Sequence, residues 1–270
     1  MENKKVAIIY AYYETNKSKG NLNYFLKNGG YLESDNVDYF FLVNGKTCTA
    51  DIPKDNKNVF RFLRPNEGHG WGGWRIVLEE RDMSKYDYFI LMKDYMIGPF
   101  IYSWMKDKVK WIKVFLNLLN DKVKLVGPTI NIQTKKIGKK WRFIPHVQAC
   151  MLVTDKVGIK IVREIANKKT AKKREVILSN EMLIRGYQIK SLQQAYQNVD
   201  FEKILKYSPI EIDDKIKKIL PNLKYKGDVY NDLGYFNTQI NPYEVIFYKR
   251  KNDTPELDLA IRSNLNKIKF

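Results

Sequence analysis

Runs and periods of apolar residues divide the chain into alternating strands and helices. Val6 to Tyr12 (VAIIYAY) follows a charged start and predicts a buried strand. A short helix over Asn21 to Lys27 comes next. Val37 to Val43 (VDYFFLV), closed by Asn44-Gly45, is a second strand and turn. Val59 to Leu63 alternates, stops at Pro65, and gives a third. Trp74 to Arg81 has helical character, and Tyr88 to Met92 is a fourth strand. Lys108 to Leu119 places apolar residues at a 3.6-residue spacing, which predicts a helix. Val123 to Val126 is a strand ended by Gly127-Pro128. His146 to Thr154 (HVQACMLVT) is another, leading into a helix over Lys156 to Asn167. A helix over Val176 to Arg185 ends at Gly186, and Gln188 to Leu192 is a short strand. This alternation predicts an α/β fold with a mainly parallel, twisted sheet and helices on both faces. Beyond residue 200 the pattern loosens into a strand over Asn241 to Lys249 and a helix over Pro255 to Lys267. The expected organisation is one domain over residues 1–250 with a helical tail over 251–270.

Composition narrows the class. With 270 residues, 44% hydrophobic and 13% aromatic, the chain can bury a full core and does not read as disordered. A net charge of +18 favours anionic partners. The lysines are spread along the chain, however, and neither dense cluster, Lys168 to Arg174 or Lys135 to Arg142, alternates basic with aromatic residues. No specific nucleic-acid partner is therefore expected, although a basic nucleic-acid-binding protein stays as an alternative. Two cysteines and two histidines exclude a disulfide framework and argue against a Cys/His zinc site. The Val6 to Tyr13 run is too short to span a bilayer, so no transmembrane segment and a cytoplasmic location are expected. For a viral source that would be the host cytoplasm.

Three segments carry candidate chemistry. In Tyr86 to Phe100 (YDYFILMKDYMIGPF) a buried strand runs into Lys93 and Asp94 before Gly98-Pro99. Ligands of open α/β sheets bind outside the carboxyl ends of the strands. Asp94 can hold a hard divalent cation there, or equally cap a helix or pair with a lysine. Asn66 to Trp74 (NEGHGWGGW) is glycine-rich, so its backbone can approach an anionic ligand, or it is a turn packed by tryptophans. It matches neither a Walker loop nor G-x-G-x-x-G. Glu181, in SNEMLIRGY, is read near the start of a short helix. It is either a general base or the partner of Arg185 in an i,i+4 ion pair.

In order and spacing, these blocks resemble GT-A-fold glycosyltransferases, in particular the group of a viral rhamnosyltransferase domain and bacterial rhamnan-synthesis-like proteins. The resemblance rests on Asn66, Gly68, Gly72 and Trp74; on Tyr86-Asp87-Tyr88-Phe89 with Gly98-Pro99-Phe100; and on Leu125-Val126-Gly127 with Thr129-Ile130. It continues through Pro145-His146-Val147-Gln148, Glu181 with Gly186-Tyr187, and Pro242 to Phe247. It implies an inverting hexosyltransferase with a UDP- or GDP-linked sugar donor, a glycan acceptor, and Mn2+ or Mg2+ at the diphosphate. Asp94 would take the metal and Glu181 the acceptor proton. Tyr10, Tyr12, Asn66, Gly68, Trp71, Gly72, Lys93 and Asn241 would bind the donor, and His146 and Gln148 would line the sugar or acceptor pocket. Where members carry Asp, Asn, Arg and His, this chain has Gly70, Lys93, Ile97 and Asn241. Lys93 can take over part of a metal's charge. The same departures suit a binding module of this fold that has lost catalysis.

Overall fold

The computed structural model describes residues 4–54, 56–167, 173–207 and 228–265. Its centre is a seven-stranded sheet. In chain order the strands are β1 (Val6–Tyr13), β2 (Val37–Asn44), β3 (Val59–Arg64), β4 (Tyr88–Lys93), β5 (Met96–Ile97), β6 (Val123–Gly127), β7 (Ile130–Ile137), β8 (Lys140–Val147), β9 (Met151–Asp155), β10 (Gln188–Ser191) and β11 (Tyr248–Lys249). The sheet runs β10-β6-β9-β4-β1-β2-β3. Strand β9 pairs antiparallel with both β4 and β6, and the other pairings are parallel. Six strands therefore end at one edge, where β9 begins. The expected α/β fold with a mainly parallel sheet is what the chain forms.

Strand periodicity distributes β1 between two cores. Ala7, Ile9 and Ala11 face helices α2 (His69–Glu80), α4 (Gly158–Asn167) and α5 (Arg174–Ile184), whereas Ile8, Tyr10 and Tyr12 face α1 (Asn16–Lys27) and α3 (Trp111–Leu116). A third cluster joins Ile97 and Phe100 to Val245, Tyr248, Leu257 and Ala260. Leu257 and Ala260 belong to the Pro255–Leu265 helix, so the tail is packed onto β5 and β11.

Several element boundaries differ from expectation. Helix α1 starts at Asn16, because Thr15 and Ser18 form a reciprocal capping box upstream of the apolar positions. The glycine-rich segment is helical from His69, with Gly68 in the left-handed region as its N-cap. Helix α3 is shorter: past Leu116 the chain tightens into turns, Leu118 donating to the Phe115 carbonyl and Leu119 to that of Leu116. His146 to Thr154 divides between β8 and β9, and the basic 135–142 segment forms the tip of the β7–β8 hairpin. In the Asn241 to Lys249 segment, a Pro242–Val245 helix precedes a two-residue strand, with Asn241 as N-cap and Pro242 at the first helical position. Of the exposed loop expected over Lys168 to Arg174, Lys173 is the N-cap and Arg174 the first residue of a helix; residues 168–172 and the last residues of the tail lie outside the described residues.

Helix α4 can lie close to the sheet because Gly158 has no side chain. A Cβ there would sit 2.0 Å from Thr154 Oγ1 and 2.5 Å from the Lys124 carbonyl oxygen. Gly158→Ala is expected to lower stability by about 1–3 kcal/mol. Gly20→Ala, on exposed helix surface with no atom nearer than 3.9 Å, is expected to raise it by about 0.5–1 kcal/mol. Urea denaturation of both variants reads the two signs.

Candidate active site

The tips of β1, β2 and β4 open onto a cleft of about 530 Å³, walled by the first turns of α1 and α2. Ala11, Tyr13, Asn44 and Lys93 come from the strand ends, and Thr15, Asn21, His69 and Gly70 from the helices or their caps. Among the described residues lining it, Asp94 is the one carboxylate. Its backbone amide donates to the Ala11 carbonyl at 3.1 Å, and its own carbonyl accepts from Asn21 Nδ2 at 2.9 Å. The Asp94 side chain accepts the Tyr13 amide proton at 2.7 Å. Burial pushes its carboxyl up to about 6, against the lowering influence of that amide and of Lys93.

Lys93 lies along the opening of α2. Its ammonium is 5.1 Å from the Trp74 ring centroid, 5.7 Å from Tyr95 and 5.9 Å from Trp71. Trp74 is fixed by donating its indole N–H to the Met92 carbonyl at 3.2 Å. Burial lowers the proton affinity of Lys93, and Glu175 is the largest influence raising it.

A second acidic group adjoins the cleft because β9 begins at this edge. The Lys93 amide donates to the Cys150 carbonyl at 3.0 Å, so the turn before β9 lies beside the end of β4. The next amide back, Ala149, donates to Glu175 Oε2 at 2.8 Å. Glu175 Oε1 is 4.0 Å from His146 Nε2. His146 is buried, which holds it below its ordinary range, and the Cys150 thiol is pushed up to about 11 for the same reason. Asp228 is bound to Lys251 Nζ at 2.9 Å and accepts from Gln148 Nε2 at 3.2 Å.

The expected site residues separate into groups. Asn66, Trp71, Lys93 and Asp94 line the cleft, and His146 and Gln148 are buried in the neighbouring group around Glu175 and Asp228. Tyr10 and Tyr12 point into the core, and Ala11 and Tyr13 take the cleft positions. Gly68 caps α2, and Gly72 packs where a Cβ would meet the Glu67 carbonyl. Asn241 is an exposed N-cap whose side chain accepts the Tyr243 amide.

Glu181 is the eighth residue of α5 rather than an early one. It lies 3.4 Å from Arg185, which also pairs with Glu164 at 2.6 Å. Because α5 precedes β10 and runs against it, its first turn lies at the cleft edge, and Glu181 is about 9 Å further down the axis than Glu175. Glu175 was legible in principle. It shares the helical stripe of the buried Leu178, Ser179 and Met182, so it turns toward the sheet.

The fold and site define an α/β protein with a cleft at the carboxyl edge of its parallel strands. No protein-family model matches the sequence, and no curated protein sequence matches it. Among solved structures, the chain is similar to the mannosyltransferase PcManGT from Pyrobaculum calidifontis in complex with GDP-Man and Mn2+. Identity is 10% and the TM-score 0.45, over 69% of this chain and 54% of that one. It is similar to a glycosyltransferase involved in glycosylation of the major capsid of PBCV-1, at 11% identity and TM-score 0.38, over 69% of this chain and 81% of that one. It is also similar to 4-diphosphocytidyl-2C-methyl-D-erythritol synthase from Anaerococcus prevotii, at 12% identity and TM-score 0.43, over 83% and 96%. The chain spans about half the length of PcManGT and of the bifunctional WbbM, 54% and 44% respectively. Glycosyltransferases thus stand among the structures similar to this chain, but likeness of this size bears on neither substrate nor mechanism. Among the described residues, no helix is long and apolar enough to cross a membrane.

The raised proton affinity of Asp94 has a pH signature. Its folded value, about 6, exceeds the ordinary 3.8, so the folded state holds this proton more tightly and loses stability as pH rises between the two. Asp94→Asn keeps an oxygen for the Tyr13 amide and removes the titration. Its melting temperature relative to wild type is expected to rise from pH 4 to pH 7 and then level off. A difference that stays flat or falls over that range contradicts this account.

Proposed function

We propose that the chain is an inverting glycosyltransferase moving a sugar from a nucleoside-diphosphate donor to a hydroxyl of a glycan. The reading is supported chiefly by one arrangement. A cleft holding Asp94 and Lys93 is adjoined by a second acid, Glu175, at the start of a helix facing the same sheet edge. The donor's diphosphate occupies the Asp94–Lys93 end, with the base against Tyr13 and Asn66. The acceptor oxygen attacks the anomeric carbon from the side opposite the diphosphate. A new C–O bond forms as the bond to the β-phosphate oxygen breaks, and Glu175 takes the acceptor's proton. The electron pair leaves on the diphosphate.

Glu175 replaces Glu181 as the base in this reading. Glu175 forms no ion pair with Lys or Arg among the described residues, whereas Glu181 is engaged by Arg185. Asp228 is matched by Lys249 and Lys251 and serves instead to orient Gln148.

The donor chemistry fits a hard divalent cation only minimally. Among the described residues, no three His, Cys, Asp or Glu side chains gather to hold one. Mn2+ or Mg2+ would be held by Asp94 on the protein side, with phosphate oxygens and water completing the shell. When bound it would neutralise charge on the leaving diphosphate.

Two measurements test the reading. In a thermal-shift series, UDP or GDP is expected to raise the melting temperature by mass action. With the nucleotide so found, its sugars and a glycan acceptor panel, Glu175→Gln is expected to keep donor binding and to lose about 10²–10⁴-fold in transfer. Glu181→Gln is expected to stay within a few-fold of wild type. The reverse ranking would return the base role to Glu181, and no donor turnover with any UDP- or GDP-sugar would favour a binding module.

A further inference from the structure

We infer that Lys93, seated in an aromatic cradle that a glycine at position 70 makes possible, is the fixed cation for the donor's diphosphate, so that nucleotide binding does not require a divalent metal. This deepens the glycosyltransferase reading and rests on it.

The first observation is a half-buried charge left unneutralised. Lys93 forms no ion pair among the described residues, although it is the last residue of β4, whose four central residues are buried. Asp94, its neighbour, spends Oδ2 on the Tyr13 amide, and Glu175 is bonded to the Ala149 amide. What surrounds the ammonium is aromatic: Trp71, Trp74 and Tyr95, with centroids between 5.1 and 5.9 Å away. Ring faces attract a cation without cancelling its charge, so the group is held in place and its positive field is kept. A lysine paired with a carboxylate would offer an anion far less.

The second observation is that its position depends on Gly70. A Cβ at that position would meet Lys93 Cε at 2.8 Å and Cδ and Cγ at 3.1 Å. Any other residue there must push the lysine stem aside. Because the closest atom, Cε, lies near the end of a flexible side chain, the lysine stem can give way and carry the ammonium with it while the fold is kept. The glycine's service at this position is therefore to the lysine, not to the backbone, which is helical.

The third observation is the balance of the cleft. Lys17 and Lys93 face one carboxylate, Asp94, among the described residues lining it. An ammonium and a single acid suit a diphosphate bound through its own charge better than through a chelated metal.

Calorimetric titration of the full chain with UDP and with GDP, in excess EDTA and in Mn2+, tests the inference. The wild type is expected to bind one of them in EDTA within about threefold of its affinity in Mn2+. Lys93→Met keeps the length and apolar stem of the side chain, and is expected to weaken binding at least about tenfold in both media, the scale of one hydrogen bond to a charged group. Gly70→Ala supplies the control for folding: its melting temperature should not fall, while binding weakens as in Lys93→Met. Binding that disappears in EDTA, returns with Mn2+ and is unchanged in Lys93→Met would overturn the inference and leave the glycosyltransferase reading standing. No binding of UDP or GDP in either medium would overturn both.

Discussion

The site depends on the turn that starts β9. Three consecutive residues of that turn tie otherwise separate parts of the chain together. Cys150 accepts the Lys93 amide, Ala149 donates to Glu175, and Gln148 bridges Thr129 and Asp228. The arrangement follows from strand direction. A parallel β9 would end, not begin, beside the tip of β4, and the turn would lie at the opposite edge of the sheet. Running antiparallel, β9 delivers backbone amides and a buried carboxamide to the edge where six strands finish. Buried amides need partners, and here a side chain from the start of α5 provides one. The same bond that satisfies Ala149 fixes where Glu175 can reach.

The cleft is held against the preferences of its own charges. Asp94 and Lys93 both shift toward their neutral forms, each through loss of water. An anion bound here would offset the shift of Lys93 by favouring its charged form, and would push Asp94 further toward its neutral form. The surrounding scaffold tolerates the cost because it is firmly specified. Tyr10, Tyr12 and Tyr39 are fully buried, and Phe25 packs against Tyr10 and Trp111 with centroids 5.5 and 6.2 Å apart.

Much of this frame was legible in the sequence. The strands were visible as continuous apolar runs, because a strand covered on both faces carries no polar alternation. Asp94 followed from the rule that ligands gather at strand ends. What local patterning could not give was partnership. The meaning of Gly70 appears only beside Lys93, on a different element, and the aromatic cradle joins residues of α2 to one just past β4. The sequence starts the helix at Val176 and the structure at Arg174, so Glu181, to which the resemblance assigns the base role, stands in the second half of the helix. The β7–β8 hairpin was obscured by its lysines, which read as a surface cluster while its inward positions, Ile130, Ile132, Phe143 and Val147, carried the strand signal.

The distribution of cations among the acids separates their roles. Asp228 faces Lys249 at 3.6 Å and Lys251 at 2.9 Å, so taking up a proton there would cost both attractions. Asp94 lies at the floor of the cleft, bonded to the Tyr13 amide, where a bound diphosphate would shield it from an acceptor. Glu175 has one oxygen on a backbone amide and the other beside an imidazole that burial keeps below its usual proton affinity. It forms no ion pair with Lys or Arg among the described residues, and its amide contact orients it. A base must change charge during the reaction, whereas a residue serving a diphosphate must not. In the proposed reading, Glu175, with no Lys or Arg partner among the described residues, suits the first role, and Lys93, held by its ring neighbours, suits the second.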